Sequence, residues 1–322
     1  MRHPDPESVP RRSTRSLTRW TAALLLLHFA AVALSAGELT RTIRLKLSAG
    51  DLASGEAALE DWKRTHPQIA EDVEYLDGLG WLARGAQLLG QDDRALAWVA
   101  EVRRLVPAET LATVNALGAA IEVEGRVLLA REGRGAALHF FARELDKAHD
   151  TALRSRISKN IDLISLEGSP APEIVAPDHV GPRPPALAEL RGRPVLLFFW
   201  AHWCGDCKAQ GPVVARLAAK YGPQGLAVLA PTRLYGTGKD DQDATPEGEK
   251  ARIAEVLAES YPGFASIPVP ISEAAMVAYG ASATPTLVLI DRAGRVRLYT
   301  PTRLTEAELE HRIEELLAEP AG

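Results

Sequence analysis

The chain has 322 residues, 37 of them basic and 42 acidic, for a formal net charge of −5. That length suits about two domains, and so mild a charge excludes general electrostatic capture of nucleic acid. With 2 cysteines in all, a disulfide framework is excluded as well. Residues 1–19 carry Arg2, Arg11, Arg12, Arg15 and Arg19 against Asp5 and Glu7. Residues 20–36 are apolar apart from Thr21, His28 and Ser35. A basic start, a short apolar run and small residues before Gly37 read as a secretory signal peptide over 1–37. The other reading is an N-terminal membrane anchor, which the short run and His28 disfavour. Positive charge ahead of the apolar run places everything after it outside the cytoplasm.

Residues 38–166 are rich in Ala, Leu, Arg and Glu, with apolar positions at helical spacing, as in Leu76, Leu79, Ala83 and Ala86. Breaks fall at Thr65-His66-Pro67, at Gly90-Gln91-Asp92, at Val106-Pro107 and at Gly133-Arg134-Gly135. Leu82, Ala83, Ala95, Val99 and Pro107 fall at spacings that resemble a tetratricopeptide repeat. The segment is read as an irregular, tetratricopeptide-like helical domain. Such arrays bind a peptide or protein client in a groove, or their helices only pack together. Trp62, Trp81 and Trp98 are assigned to the core.

Residues 167–185 form a Pro-rich linker and entry segment, with Pro170, Pro172, Pro177, Pro182, Pro184 and Pro185 permitting short strands at most. Over 186–322 the pattern becomes α/β. Val195 to Phe199 has no polar alternation and reads as a central buried strand. A helix over about 208–221 and a second apolar run at 226–230 complete a βαβ unit. The loop over 231–248 contains Tyr235, Asp240, Asp241 and Asp243. It is read as a solvated excursion in preference to a cap over the site. An amphipathic helix follows over 247–260, then Pro268 to Ile271 leading into a short helix over 273–279. A strand, a turn at Asp291-Arg292-Ala293-Gly294 and an edge strand come next. The last helix has Thr305 as its N-cap and Glu308 three residues on, a capping box.

The chemistry-bearing stretch is Phe198-Phe199-Trp200-Ala201-His202-Trp203-Cys204-Gly205-Asp206-Cys207-Lys208. Both cysteines sit where a buried strand gives way to a helix. Unpaired N–H groups and partial positive charge at a helix N-terminus stabilise a thiolate. Lys208, where haem attachment needs His, excludes that use of the pair. Cys204, ahead of the helix, is the candidate nucleophile, and Cys207, one turn inside, the candidate resolving thiol. Trp203 offers a flat apolar contact beside them. Asp206 either caps the helix or, by repelling a thiolate, tilts the pair toward reduction. His202 either faces solvent or handles protons, being the nearest side chain in sequence that titrates in the right range.

The motif, with Ala283-Thr284-Pro285-Thr286 and the segment Leu287-Val288-Leu289-Ile290-Asp291-Arg292-Ala293-Gly294, resembles the TlpA/ResA branch of the thioredoxin superfamily over about residues 168–317. The resemblance implies a thioredoxin-like mixed sheet flanked by helices, following the all-helical N-terminal domain. It implies an extracytoplasmic, periplasmic thiol–disulfide oxidoreductase with no cofactor beyond the redox-active Cys204–Cys207 disulfide and no bound metal. Protein disulfides are the implied substrates, with a membrane electron donor. It also implies a cis peptide at Thr284–Pro285 and pairing of a bound peptide with the Thr284 backbone. Two departures stand out. Phe198 takes the place of a buried Asp found in many thioredoxins, and Gln210 the place of a Glu common in this branch, so the proton shuttle must differ. Two rival readings remain open. One is a copper- or metal-handling module using His202, Cys204 and Cys207. The other is an interaction protein in which client recruitment by the helical domain comes first.

Overall fold

The computed structural model describes residues 37–237 and 244–319. The signal or anchor segment, and the acidic run at Asp240, Asp241 and Asp243, lie outside the described residues. The chain divides into two compact units. One is built from residues up to 108 together with 115–123, and the other from 109–114 together with 124 onward.

The first unit holds helices α1 (Glu38–Ser48), α2 (Leu52–Thr65), α3 (Val73–Leu88) and α4 (Asp92–Leu105), and part of α5 (Val114–Glu132). The interruptions at 66–72, 89–91 and 106–113 fall at punctuation read from the sequence, whereas the one at 49–51, between α1 and α2, was not read. Asp51 and Asp72 cap α2 and α3 by accepting from the Ser54 and Tyr75 N–H groups. Gly90 turns the chain after α3 at φ 72°. Ile43, Leu59, Leu76, Leu79, Leu82 and Ala83 fill the core. The three tryptophans depart from expectation, since none is fully buried. Trp62 donates its indole N–H to Asp72 at 2.7 Å and stacks on His66. The Arg44 and Arg84 guanidiniums lie 4.7 and 4.9 Å from the centre of the Trp81 ring, and Arg94 lies 5.3 Å from that of Trp98. An indole has a polar edge and a face that attracts cations, so the rim satisfies it better than the core does.

After 109–114 and the end of α5, the second unit holds α6 (Arg134–Lys147) and α7 (Thr151–Ser165) and continues into the sheet. Four strands lie in the order β3 (Ala227–Leu229), β2 (Val195–Phe199), β5 (Thr286–Ile290), β6 (Val296–Thr300). β2 runs parallel to β3, and β5 is antiparallel to both β2 and β6. Helix α8 (Gly205–Tyr221) makes the crossover between β2 and β3. β2 and β5 are apolar throughout because both faces are covered. Leu196, Phe198, Leu287 and Leu289 pack with α8, α9 (Pro246–Ser260) and α11 (Glu306–Ala318). Val195, Leu197, Phe199, Val288 and Ile290 pack on the other side with Met276 of α10 (Glu273–Ala278) and with Tyr279. This is the expected thioredoxin-like mixed sheet flanked by helices.

Two features of the second unit were hidden in the sequence. β1 (Asp178–Val180) pairs antiparallel with β4 (Val269–Ile271), inside segments whose prolines suppress a strand pattern. The stretch after α7 is also tied down. The Gly168 N–H donates to the Val296 carbonyl, and the Val296 N–H donates to the Ser169 carbonyl.

The C-terminal helix starts as read. Thr305 accepts from the Glu308 N–H, and Glu308 accepts from the Thr305 N–H. Thr305→Ala should cost about 1 kcal/mol, measured as a lower denaturant midpoint at unchanged slope. A larger effect is expected at Gly280, where φ is +50° and a Cβ would overlap the backbone of Lys159 in α7. Gly280→Ala combines an unfavourable φ with a clash against main chain that cannot swing away. It should cost roughly 2–4 kcal/mol, read from thermal or urea unfolding.

Candidate functional site

The C-terminal end of β2 delivers Trp200 into the core, and the chain then turns through Ala201, His202 and Trp203 before α8 begins. The turn is held from the β3 side. The Trp200 N–H donates to the Pro231 carbonyl, its indole N–H donates to Ala230, and the Thr232 hydroxyl donates to the Trp200 carbonyl at 2.8 Å. The motif and the loop after β3 therefore share one edge of the sheet, as expected for a site at the carboxyl ends of parallel strands.

Helix α8 starts earlier than the periodicity suggested, at Gly205, which makes Cys204 itself the N-cap. The Cys207 N–H donates to Cys204 Sγ at 3.0 Å. Sulfur thus occupies the place usually taken by a capping oxygen, at the positive end of the helix. Cys204 and Cys207 are joined as a disulfide, with Cα atoms 5.2 Å apart. Cys204 keeps 6% of its surface exposed and Cys207 none. Across the site the Thr284–Pro285 peptide is cis, as the resemblance implied. The Thr284 carbonyl oxygen lies 3.4 Å from Cys204 Sγ, with Pro285 buried behind it.

Trp203 is the exposed member of the group, at 55%. Its ring meets Tyr235 edge-on, with centroids 5.3 Å apart. The Arg233 guanidinium in turn covers Tyr235 at 4.3 Å. Burial pushes the Tyr235 hydroxyl up to about 12, against the opposing pull of Arg233. At its start, then, the loop after β3 is not the solvated excursion read from the sequence. Residues 233–237 pack beside the motif.

His202 also departs from the solvent-facing reading. It is 4% exposed, with Nε2 3.0 Å from Glu249 Oε1. Glu249, on α9, is completely buried and also accepts from the Tyr235 and Gly236 N–H groups at 2.7 and 2.8 Å. Sequence reasoning missed Glu249. It stands 47 residues beyond His202, in a helix whose other acidic residues face solvent, and nothing local marks it.

Two other assignments take on definite partners. Gln210 is buried on α8, where its Oε1 accepts from the Leu304 N–H at 3.0 Å and its Nε2 has no partner. This ties α8 to the segment entering α11. Asp206 faces Arg303 at 3.3 Å, with both side chains roughly half exposed. Arg303 offsets part of the negative charge that Asp206 presents to a thiolate, so the tilt argued from Asp206 alone is weaker here. Phe198 is fully buried against Tyr261 and Phe264, an apolar replacement for an internal carboxylate. Among the described residues there is no cluster of three His, Cys, Asp or Glu side chains able to hold a metal. His202 Nε2 is engaged by Glu249.

Residues 166–313 match the Redoxin family. ResA, a thiol-disulfide oxidoreductase of Geobacillus thermodenitrificans, is 29% identical over 149 residues, covering 46% of this chain and 77% of that protein. DsbE, a thiol:disulfide interchange protein of Xylella fastidiosa, is 28% identical over 159 residues, covering 49% of this chain and 73% of that protein. A solved structure of a putative DsbE from Chlorobium tepidum aligns at 29% identity, covering 47% of this chain and 98% of its own, with a TM-score of 0.38. The family match and the curated relatives make the C-terminal half a redoxin domain, and its class is that of the thiol–disulfide oxidoreductases of ResA/DsbE type.

Proposed function

We propose that the chain is an exported reductase of protein disulfides that works through a mixed disulfide on Cys204. In the reduced form the Cys204 thiolate attacks one sulfur of a substrate disulfide, and the other substrate sulfur leaves as a thiolate and takes up a proton. The Cys207 thiol, once deprotonated, attacks Cys204 Sγ. This frees the second substrate thiol and closes the Cys204–Cys207 disulfide. Two electrons have passed to the substrate, and a membrane electron donor returns them by reducing the pair. The observation that carries this reading is the disulfide itself, with Cys204 capping the helix and Cys207 buried behind it.

Trp203, Thr284 and Pro285 are the substrate-contacting residues in this account. The Thr284 main chain beside Sγ offers hydrogen bonds to an extended peptide whatever its sequence. The assignments to a signal or anchor at 1–37, to the periplasm and to a client on the helical domain rest on the sequence pattern. The direct test is insulin reduction by the full chain with dithiothreitol as reductant, followed as turbidity. Catalysis above the dithiothreitol background supports the reading, and a rate equal to background removes it. Fractionation of cells expressing the full chain tests export, which fails if the protein stays with cytoplasmic markers.

A further inference from the structure

We infer that Glu249 is a positioning residue that fixes one wall of the substrate cleft, a role resting on the disulfide-exchange reading above. Its carboxyl group meets three partners from two other stretches of chain. His202 Nε2 and the Tyr235 N–H meet Oε1, and the Gly236 N–H meets Oε2. None of Glu249 is exposed. The two main-chain N–H groups can only donate, which commits both carboxyl oxygens as acceptors toward the loop. Thr237 Oγ1 also approaches His202 Nε2, at 3.4 Å. One side chain thereby joins the turn leading into Cys204 to the start of the loop after β3. Burying a carboxyl group is costly unless its bonds are made, and this one is committed to the Tyr235 and Gly236 main-chain N–H groups of the loop after β3.

The consequence lies at Trp203 and Tyr235. Trp203, next to Cys204, is half exposed, and its ring and that of Tyr235 meet nearly at right angles. Arg233 covers Tyr235 from the other direction. The result is an aromatic wall beside the accessible sulfur, suited to apolar or aromatic residues flanking a cysteine in an unfolded or extended polypeptide. Glu249 touches neither sulfur. It acts by keeping Tyr235 in register with Trp203.

The test compares the full chain with its Glu249→Gln, Tyr235→Ala, Tyr235→Phe and doubly substituted Glu249→Gln/Tyr235→Ala forms. Insulin is the disulfide substrate and dithiothreitol the reductant. The rate at which dithiothreitol alone opens the Cys204–Cys207 disulfide reports on the sulfur chemistry without the cleft. Glu249→Gln keeps one acceptor oxygen but turns an amide N–H₂ toward a main-chain N–H. It should raise the KM for insulin about three- to tenfold, the range an aromatic contact supplies, while kcat and the dithiothreitol rate stay at wild-type values. Tyr235→Ala should give the same KM, Tyr235→Phe the wild-type KM, and the double form no further increase. A wild-type KM in Glu249→Gln, or single effects that multiply in the double form, overturns the inference. If Glu249→Gln does not fold, the Tyr235 pair decides: a wild-type KM in Tyr235→Ala is equally fatal. A wild-type chain that reduces no insulin overturns the disulfide-exchange reading itself and this inference with it. Wild-type activity with an indifferent Glu249 overturns the inference alone.

Discussion

Cys204→Ser should abolish disulfide exchange, and Cys207→Ser should leave the chain stalled as a mixed disulfide with its substrate. Only Cys204 retains exposed surface, and its sulfur sits at the helix N-terminus, with the Cys207 N–H donating to it and the Thr284 carbonyl oxygen 3.4 Å away. A thiolate formed there keeps the N–H bond and gains the positive end of α8. Cys207 is fully enclosed and can reach only Cys204. Serine at 204 removes the attacking sulfur, so insulin reduction should fall roughly a thousandfold or more, to background, as expected when one member of a concerted unit is lost. Serine at 207 leaves the attack intact and removes only the second step. A covalent adduct should then accumulate, seen as a band on non-reducing gels that dithiothreitol collapses. Turnover by Cys204→Ser, or adducts forming equally through Cys207, would contradict the assigned roles.

Asp162→Asn should make the protein more stable at neutral and alkaline pH, with little change in acid. Asp162, on α7, is buried, and its Oδ2 has no hydrogen-bond partner. Burial pushes its carboxyl up to about 8 from an ordinary 3.8. Its charge adds to burial in holding the Tyr279 and Tyr299 hydroxyls above their ordinary range. The sign follows from proton binding. Because the folded state holds this proton more tightly than the unfolded chain, the contribution is fully present below pH ~4 and is lost as pH rises toward about 8. The slope through that window is about 1.4 kcal/mol per pH unit at most, so a few kcal/mol are forgone by pH 7. Asparagine removes the ionisation at nearly constant shape, and the melting temperature at pH 7 should rise by roughly 5–10 °C. At pH 4.5 the two proteins should melt within a degree or two of each other, on the same scale of a few degrees per kcal/mol. A wild-type stability that stays flat between pH 5 and 8, with no gain from Asp162→Asn, would mean that the carboxyl group is effectively solvated.

What the sequence made legible follows from how local each signal is. Several helix boundaries in 38–166, at 66–67, 90–91, 106–107 and 133, and the Thr305 cap could be read because Thr, Gly and Pro act on neighbouring main chain, whereas the breaks at 49–51 and 148–150 were not. β2 and β5 could be read because burial on both faces removes polar alternation. The β1–β4 ribbon could not, since its pairing is non-local and its composition is that of a turn. The site divides the same way. Cys204, Cys207 and the Thr284–Pro285 turn announce themselves as motifs. The partners that define the surroundings do not: Arg303 for Asp206, Leu304 for Gln210, and Glu249 for both His202 and the Tyr235 loop. Each is tens of residues away and is chosen by packing. His202 was misplaced for the same reason, because a histidine beside a motif looks solvent-facing until the buried carboxylate that holds it is known.

The central claim, a reversible two-electron couple tuned toward reduction, is tested most directly by equilibrating the full chain against glutathione buffers and following the Cys204–Cys207 state by thiol alkylation. The account predicts one sharp two-electron transition at a potential near that of thioredoxin, roughly −270 mV. A transition near −120 mV would make the protein a disulfide donor and reverse the proposed direction of electron flow, and thiols that never re-form the disulfide would remove the couple altogether.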